Sequence, residues 1–377
     1  METAIQLTED MLEGQPPASP SGRPASPVYR ISPIEDPRWA EYLSRAPQAS
    51  LFHSAAWLEA LRRTYGYEAI ALTTSAPGKK LENGLVFCIV ESRLTGRRLV
   101  SVPFSDHCQP LADTKQSLLA LFRGAETQVC AEGWRYLELR PLKPTGISRT
   151  NWHTSAVYLH HQVDLEPAVE VLFRNLHKDS VQRKIQRAER EGLRYEEGTS
   201  ERLLEAFYQI MVQTRRRHGV PPQPKEWFRA LVQEFGSDLQ IRAAFHGLKA
   251  VAATMTIRYK DSLVYKYGGS AVSHNKLGGM HLLYWNAIQD AKQWGLRTFD
   301  LGRTDAGQAG LATFKKRWGA CESSVAYSRY TEAGDDSLHD FEVAVPNWKM
   351  RAAKSFFRNS PDRLLPVVGR ILYRHFG

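Results

Sequence analysis

Residues 294–301 have the sequence WGLRTFDL, and residues 132–139 have the similar sequence EGWRYLEL. Two further blocks repeat in the same order: HGL at 246–248 corresponds to NGL at 83–85, and LVYKYG at 263–268 corresponds to LVSVPF at 99–104. The matching positions Gly84 and Gly247, Leu99 and Leu263, and Gly133 and Gly295 are 163, 164 and 162 residues apart. Three blocks at nearly one offset indicate that the chain contains the same module twice.

Each copy has the pattern of strands, then a helix, then a further strand. In the second copy, alternation and periodicity predict strands over 239–245, 250–259, 262–268 and 298–301, and a helix over 281–294 that ends at Gly295. In the first copy they predict strands over 69–73, 84–93, 98–104 and 136–140, and helices over 55–65 and 115–130. We therefore predict an α/β (α+β) fold with two tandem domains, each a mixed sheet flanked by helices.

The domain organisation follows from this repeat and from composition. Residues 15–27 are rich in proline and serine, so we predict a disordered N-terminal tail over 1–28. The first domain is predicted over 29–165 and the second over 166–331. The remaining segment, 332–377, is predicted to be a basic amphipathic tail, which Pro361 and Pro366 would break into short pieces.

The bulk composition narrows the class of protein. Of 377 residues, 42% are hydrophobic, as in ordinary globular proteins, and no apolar run is long enough to span a membrane. The first residues lack the basic and apolar regions of a secretory signal, so we expect a cytoplasmic protein. The four cysteines are scattered, which argues against a zinc cluster or a disulfide framework. A formal net charge of +10 favours anionic partners: phosphate-bearing cofactors, RNA or an anionic lipid surface.

Two basic segments each allow two interpretations. The predicted helix over 179–191 has one apolar stripe and an opposite face with Arg183, Arg187 and Arg190; it either docks on the core with a solvated basic face or holds phosphates. The C-terminal tail, 332–377, either lies on an anionic membrane surface or packs back on the body of the protein.

A glycine-rich loop distinguishes the second copy from the first. The strand that ends with Tyr267 and Gly268 leads through Gly278 and Gly279 directly into a helix. Glycines allow close backbone approach, and the free N–H groups of a helix N-terminus favour a phosphate. The first copy has PFSDHCQP at 103–110 instead, so we expect the donor site in the second domain.

The residues of the second copy resemble the Fem-type transferases. The resemblance is carried by 262–270, by FDLGRT at 299–304 and by GLATFKKRWG at 310–319, and it covers roughly 52–330. With PFSDHC at 103–108 and the segment 214–224, the chain is most similar to the Fem-related proteins found with exosortase-linked exopolysaccharide systems. The resemblance implies two tandem GNAT-like domains that transfer an aminoacyl or acyl group.

The resemblance also implies roles for individual residues. Lys315 matches the lysine that contacts a substrate phosphate near the reacting centre of Fem enzymes, and Asp300 and Arg303 match the acidic strand end beside it. Fem ligases that use aminoacyl-tRNA often carry a long coiled-coil arm, and no sustained heptad pattern of that kind occurs here. This difference weakens aminoacyl-tRNA as the donor, so acyl-CoA or another activated acyl group is expected, with aminoacyl-tRNA as the alternative.

The expected chemistry is attack of an amine or hydroxyl on an activated carbonyl. Backbone N–H groups near 267–270 would stabilise the oxyanion, Arg303, Lys315 and Lys316 would neutralise phosphates, and Asp300 or His218 would take the proton. We predict an acceptor pocket formed by Asp106, His107, Cys108, Arg215 and Trp318. A covalent role for Cys108 is a weaker alternative, because neighbours on an extended segment point to opposite faces and His107 would not meet the thiol. No metal is expected.

The sequence thus predicts a cytoplasmic acyltransferase that moves an acyl or aminoacyl group to a cell-envelope or exopolysaccharide precursor. The C-terminal tail leaves peripheral contact with the inner membrane open. The main alternative is a non-catalytic scaffold of an envelope polysaccharide assembly system. A third interpretation, an RNA-binding protein, rests on the arginine-rich helix and the net charge alone.

Overall fold

The repeated blocks occupy equivalent positions in one mixed sheet. The computed structural model describes residues 27–93, 95–146, 151–332 and 347–375. The elements of the first half are strand β1 (Tyr29–Ile31), helices α1 (Pro37–Arg45) and α2 (Ala55–Tyr65), strands β2 (Glu68–Thr73), β3 (Leu85–Ser92) and β4 (Gly96–Val100), helix α3 (Lys115–Glu132), and strands β5 (Leu137–Leu139) and β6 (Trp152–Asp164). The predicted tail over 1–28 lies almost wholly outside the described residues.

The second half repeats this order with an added pair of helices at its start and one added helix before its last strand. Its elements are helices α4 (Val169–Asn175) and α5 (Arg183–Arg190), strand β7 (Arg194–Gly198), helices α6 (Glu201–His218) and α7 (Lys225–Phe235), strands β8 (Leu239–His246), β9 (Lys249–Tyr259) and β10 (Ser262–Ser270), helix α8 (Gly279–Gln293), strand β11 (Thr298–Asp305), helix α9 (Ala309–Lys316) and strand β12 (Cys321–Tyr330). Two helices, α10 (Asn347–Asn359) and α11 (Leu365–Tyr373), follow.

Within these ranges, twelve strands form one sheet in the order β1-β2-β3-β4-β5-β12-β6-β11-β10-β9-β8-β7. Most neighbours are antiparallel, but β4 pairs with β5, and β10 with β11, in parallel. Such parallel pairs need a crossover, which α3 and α8 provide. The predicted mixed α/β fold is confirmed.

The last strand of each half lies between strands of the other half. Strand β6 ends the first half but pairs with β11, and β12 ends the second half but pairs with β5; the two exchanged strands also pair with each other. The sheet therefore runs without a break across the boundary proposed at 165/166, and that division into domains stays a prediction.

Helices from both halves share one hydrophobic core. The indole of Trp57 on α2 meets that of Trp227 on α7 edge to face, with ring centroids 5.2 Å apart. Both side chains are fully buried. The Trp227 indole N–H donates a hydrogen bond of 2.9 Å to the hydroxyl of Tyr267 on β10. Aromatic pairs of this kind add specific geometry to the area that they bury, so they fix the two halves against each other.

The amphipathic helix predicted over 179–191 forms as a π-helical turn, Lys178–Gln182, followed by α5. Its predicted apolar stripe is buried in the core. On the exposed face, Arg183 pairs with Asp179 and Arg187 with Glu191, each four residues away. These intrahelical pairs favour the interpretation of a docked helix with a solvated basic face.

The C-terminal helices pack back on the body of the protein. Leu365 of α11 is fully buried. The hydroxyl of Tyr373 donates to the carbonyl of Pro221 at 3.2 Å, and Arg98 donates to the carbonyl of His375 at 2.8 Å. The break predicted at Pro361 is present, whereas Pro366 lies in the first turn of α11, where a missing N–H costs nothing.

The exchange of strands predicts that the two halves unfold together. Replacing the buried Phe299 of β11 by Ala should cost about 3–5 kcal/mol, because a large core side chain is lost. We expect this variant to lower the denaturant midpoint of the whole chain, with hydrogen exchange in β2, β3, β8 and β9 accelerated together. Leu248→Ala, at a residue 96% exposed, is the control and should change stability by less than about 0.5 kcal/mol. Two resolved unfolding transitions would contradict this expectation.

Candidate active site

Strands β10 and β11 part to form a wedge. Among the described residues, their parallel pairing covers only Ser262↔Thr298 to Val264↔Asp300. Beyond these pairs, each strand has a bulge on its other side, between Tyr265 and Tyr267 in β10 and between Asp300 and Arg303 in β11. Bulges bend and twist a strand, so the two strands diverge. The inner backbone groups of β10 therefore face a gap instead of a neighbouring strand.

A cavity of about 430 Å³ lies at this wedge. Of the residues predicted from the sequence, six line it: Asp106, His218, Gly268, Gly279, Arg303 and Lys315. The other predicted residues, Tyr267, Gly278, Asp300, Lys316, His107, Cys108, Arg215 and Trp318, are not among its described lining residues. Lining residues to which the sequence analysis assigned no role include Lys184, Lys266 and Asn275.

A buried ion-pair network forms one wall of the cavity. The Lys266 ammonium lies 2.8 Å from one Asp106 oxygen, and Arg303 Nε lies 3.8 Å from the other. Burial favours the neutral acid, yet the charges of Lys266 and Arg303 outweigh it and hold the pKa of Asp106 below its ordinary value. Asp106 belongs to the first half and Lys266 and Arg303 to the second, so the wall joins both halves.

Lys315 adds a further cation to the same cavity. Its Nζ donates to the carbonyl of Gly302 at 2.9 Å and to the carbonyl of Arg303 at 3.1 Å. Burial lowers the pKa of Lys315 from 10.5 to about 8. Two of the three ammonium hydrogens are thereby directed to backbone carbonyls, and the third can donate to a molecule in the cavity.

Asp300 lies on the other side of the strand and binds two imidazoles. Its Oδ1 lies 2.9 Å from His160 Nε2 and accepts the Gly302 N–H at 2.7 Å, and its Oδ2 lies 3.4 Å from His107 Nε2. Burial favours the neutral acid, but these partners keep the pKa of Asp300 well below its ordinary value. The side chain is an ionised acceptor for three donors, which favours a positioning role over that of a proton acceptor.

The same three side chains are the candidate metal ligands of the described residues. One ligand atom from each of His107, His160 and Asp300 lies within 4.8 Å of the others. The hydrogen bonds to Asp300 account for this geometry without an ion. All three also line a second cavity of about 290 Å³. The expectation that no metal takes part stays a prediction.

The thiol of Cys108 contacts His53 and not the neighbouring His107. Its Sγ lies 3.4 Å from His53 Nε2, which in turn lies 2.8 Å from the carbonyl of Gln109. The Ser50 N–H donates to His53 Nδ1, so Nε2 carries the hydrogen and cannot accept the thiol proton. Burial raises the pKa of Cys108 to about 12. These contacts argue against a nucleophilic thiol.

The corresponding wedge of the first half is closed by its own chain. Beyond the β4 pairs Leu99↔Leu137 and Val100↔Glu138, the N–H of Cys108 donates to the carbonyl of Arg140 at 2.6 Å. The Arg140 guanidinium donates to the carbonyl of Val102 at 3.0 Å. Segment 101–111 therefore covers, in the first half, the edge equivalent to the one that β10 leaves open in the second half. This difference favours the second half as the donor site.

The same segment carries two residues into the second half. Val102 and Phe104 adopt left-handed backbone conformations, with φ of 56° and 60°. Residues other than glycine rarely adopt such conformations. The turn that they make directs Asp106 toward Lys266 and His107 toward Asp300. Strained backbone of this kind persists where the surrounding structure fixes it, often at functional sites.

Three further predicted residues lie outside the cavity and make contacts that stabilise the fold. Gly278 has a φ of 81°, and a Cβ there would lie 2.3 Å from the carbonyl oxygen of Lys184, so this glycine allows α8 to approach α5. Trp318 is buried and contacts Tyr284 with ring centroids 5.2 Å apart. Lys316 pairs with Glu322 on the surface, at 3.0 Å.

Comparisons with known proteins agree with this architecture. Residues 176–316 match the model of the acetyltransferase (GNAT) domain. Over 133 residues the chain is 26% identical to a UDP-N-acetylmuramoylpentapeptide-lysine N(6)-alanyltransferase from Weissella viridescens, a match that covers 34% of this chain and 38% of that protein. The chain therefore matches well under half of the length of that relative.

Two solved structures extend the likeness in fold to more than four-fifths of the chain. The crystal structure of FemX superposes with a TM-score of 0.64 at 13% identity, over 84% of this chain and 99% of that one. A tandem GNAT protein from the clavulanic acid biosynthesis pathway superposes with a TM-score of 0.51 at 11% identity, over 82% and 99%. At these identities the likeness establishes the fold, which is that of tandem GNAT domains.

The cysteine surroundings predict the number of reactive thiols. Cys130 and Cys321 are exposed, whereas Cys88 and Cys108 are buried with raised pKa values. We expect two thiols to react with Ellman's reagent in the native protein and four after denaturation. The variant Cys108→Ala should leave two reactive native thiols. Three fast native thiols, reduced to two by Cys108→Ala, would show that Cys108 is a reactive thiolate after all.

Proposed function

We propose that the protein is an acyltransferase that moves an activated acyl or aminoacyl group to an amine or hydroxyl of a cell-envelope precursor. The observation that carries this proposal is the wedge between β10 and β11, with a cavity lined by Lys266, Arg303 and Lys315. The match of residues 176–316 to the GNAT domain and the similarity to an alanyltransferase support it.

The donor lies along β10 in this proposal. Gly268 and Gly269 line the cavity and leave their backbone accessible to a ligand. Inward N–H groups of β10 stabilise the oxyanion that forms at the donor carbonyl, because preorganised dipoles act strongly in a buried site. Lys184 and the start of α8 at Gly279 line the same cavity and attract the phosphates of the donor.

The proposed reaction uses one proton acceptor and one proton donor. Burial and the neighbouring Arg217 lower the pKa of His218, so its imidazole is neutral at neutral pH. The acceptor nitrogen or oxygen attacks the carbonyl carbon and passes its proton to His218, while the bond from that carbon to the donor's oxygen or sulfur breaks. Lys315 donates the proton that the leaving atom takes up, and solvent restores both residues.

The donor and the acceptor are the finer parts of the proposal. The GNAT domain supports either acyl-CoA or aminoacyl-tRNA as donor. The name of the Weissella viridescens relative supports a peptidoglycan precursor as acceptor, and the sequence resemblance extends this to an exopolysaccharide precursor. A non-catalytic scaffold is the alternative. Binding of a donor in the cavity without transfer of its acyl group would favour this alternative.

Donor binding should stabilise the protein. We expect either acetyl-CoA or a non-hydrolysable aminoacyl-tRNA to raise the melting temperature saturably. At a hundredfold excess over Kd, the ligand should add about 2.7 kcal/mol to the free energy of unfolding. Lys184→Glu reverses an exposed charge at the cavity and should abolish the shift. The control Arg123→Glu changes an exposed charge on α3 and should keep it. The proposed donor site is wrong if neither ligand shifts the wild type, or if Lys184→Glu responds as the wild type does.

Transfer itself should depend on the charge of Lys315. With labelled donor and UDP-N-acetylmuramoyl pentapeptide, Lys315→Ala should lower kcat/KM by about a hundredfold, as for loss of one charge-stabilising donor. Since the ammonium of Lys315 and the neutral imidazole of His218 are the active forms, activity should be full near pH 7 and fall as the pH rises through about 8. Activity should also fall at acid pH, where the lowered pKa of His218 is passed and its imidazole is protonated.

Two variants separate this role from a structural one. Lys315→Arg keeps its charge at high pH, so its residual activity should not fall above pH 8. Lys80→Ala removes an exposed lysine of the first half and should keep both activity and profile. A wild-type profile that is flat from pH 7 to 10 would overturn the assignment of Lys315 as proton donor.

A further inference from the structure

Helix α11 presents two different faces. The inner face is packed: Leu365 is fully buried, and a Cβ at Gly369 would lie 1.9 Å from the carbonyl oxygen of Pro222. The outer face has a row of large apolar side chains in water, namely Leu364, Val367 and Ile371, which are 53%, 58% and 61% exposed. Since the inner face already holds the helix in place, the core does not require this outer row.

Exposed arginines flank the apolar row. Arg363, Arg370 and Arg374 are exposed. At about 100° per residue, Val367, Arg370 and Ile371 of α11, with its cap residues Leu364 and Arg374, fall within an arc of about 120° around Val367. The arginines occupy one side of the arc and the apolar side chains the other. Arg363 lies in the turn that precedes the helix.

The segment 347–377, which contains both C-terminal helices, is poor in acidic residues. Asp362 is the only acidic residue in 347–377, and it pairs with Arg216 of α6 at 2.8 Å. The face is therefore both apolar and positively charged. Along the described stretches, none of the helices combines the length and apolar character that crossing a bilayer requires. A helix face that is both apolar and basic is suited to the boundary between a lipid bilayer and water.

We propose that α11 docks the protein on an anionic lipid surface. The apolar row would enter the boundary between headgroups and acyl chains, and the arginines would contact the lipid phosphates. Each basic residue near such a surface strengthens the attraction, which falls as salt is added. A nucleic acid would bind the arginines but leave the apolar row in water, so the combination favours lipid.

Helix α10 connects the docking helix to a residue of the cavity. Helix α10, which leads into α11, packs on the end of α6, where Lys354 adjoins Gly219. Arg358 of α10 acts on the pKa of His218, and His218 lines the cavity at the wedge. Docking through α11 would therefore hold the cavity beside the lipid surface, which suits a lipid-linked acceptor.

Vesicle co-sedimentation tests the proposal. We expect the full-length protein to sediment with vesicles of phosphatidylcholine and phosphatidylglycerol, and not with phosphatidylcholine alone, with binding that weakens as salt is added. The triple variant Arg363→Glu, Arg370→Glu, Arg374→Glu should lower partitioning by at least about tenfold. Leu364→Ser, Val367→Ser, Ile371→Ser should also lower it, with the salt dependence retained.

Matched controls keep the test specific. Arg183→Glu, Arg187→Glu, Arg190→Glu reverses the same number of exposed arginines on α5, and Leu248→Ser removes an apolar side chain that is 96% exposed. Both should bind as the wild type does. All substituted residues are exposed, so melting curves should stay within a few degrees of the wild type, and a variant that fails this check is replaced by its single substitutions.

Three outcomes would overturn the proposal: no binding of the wild type to either vesicle, equal binding by the α11 variants, or an equal loss in the α5 control. The measurement uses neither donor nor acceptor, so its failure leaves the proposed transfer reaction untouched. Equally, loss of transfer in Lys315→Ala would not alter vesicle binding.

Discussion

The hydrogen bonding between β6 and β12 is the constraint on which the rest of the structure depends. These two antiparallel strands, Trp152–Asp164 and Cys321–Tyr330, join the half-sheets, and each also pairs with a strand of the opposite half. The sheet order is symmetric about this pair, with β5 and β11, then β4 and β10, at equal distances from it. This arrangement brings Asp106 of the first half within 2.8 Å of Lys266 of the second.

The two half-sheets are arranged symmetrically, but they differ at the position of the wedge. In the second half, bulges open β10 and β11 into a wedge with cationic walls, whereas in the first half Arg140 and the segment 101–111 fill the same place. The first half then contributes to the site by other means, through Asp106 and His107. Equivalent positions in the two copies thus contribute differently to one site: the second half forms the wedge, and the first half supplies side chains to it.

The sequence predicted much of the fold because its strongest signals are local. Apolar periodicity located β8, β9, β10 and α8, and the repeat located their counterparts. Strand β6 was not predicted because His160 and His161 give its sequence a polar pattern. Both histidines are buried and pair with Asp300 and Glu322, which come from distant parts of the chain. Lys266 was missed for a similar reason, since its partner Asp106 is 160 residues away. A lysine between the apolar residues of a buried strand was the available signal.

The exchange of β6 and β12 makes the chain equivalent to a domain-swapped dimer joined by a covalent link. In a true homodimer both wedges are encoded by one sequence, so any substitution that fills one wedge also fills the other. Joining the two copies in a single chain removes that coupling, and each wedge can change alone. A closed wedge beside an open one is the kind of divergence that a symmetric assembly of identical subunits cannot reach.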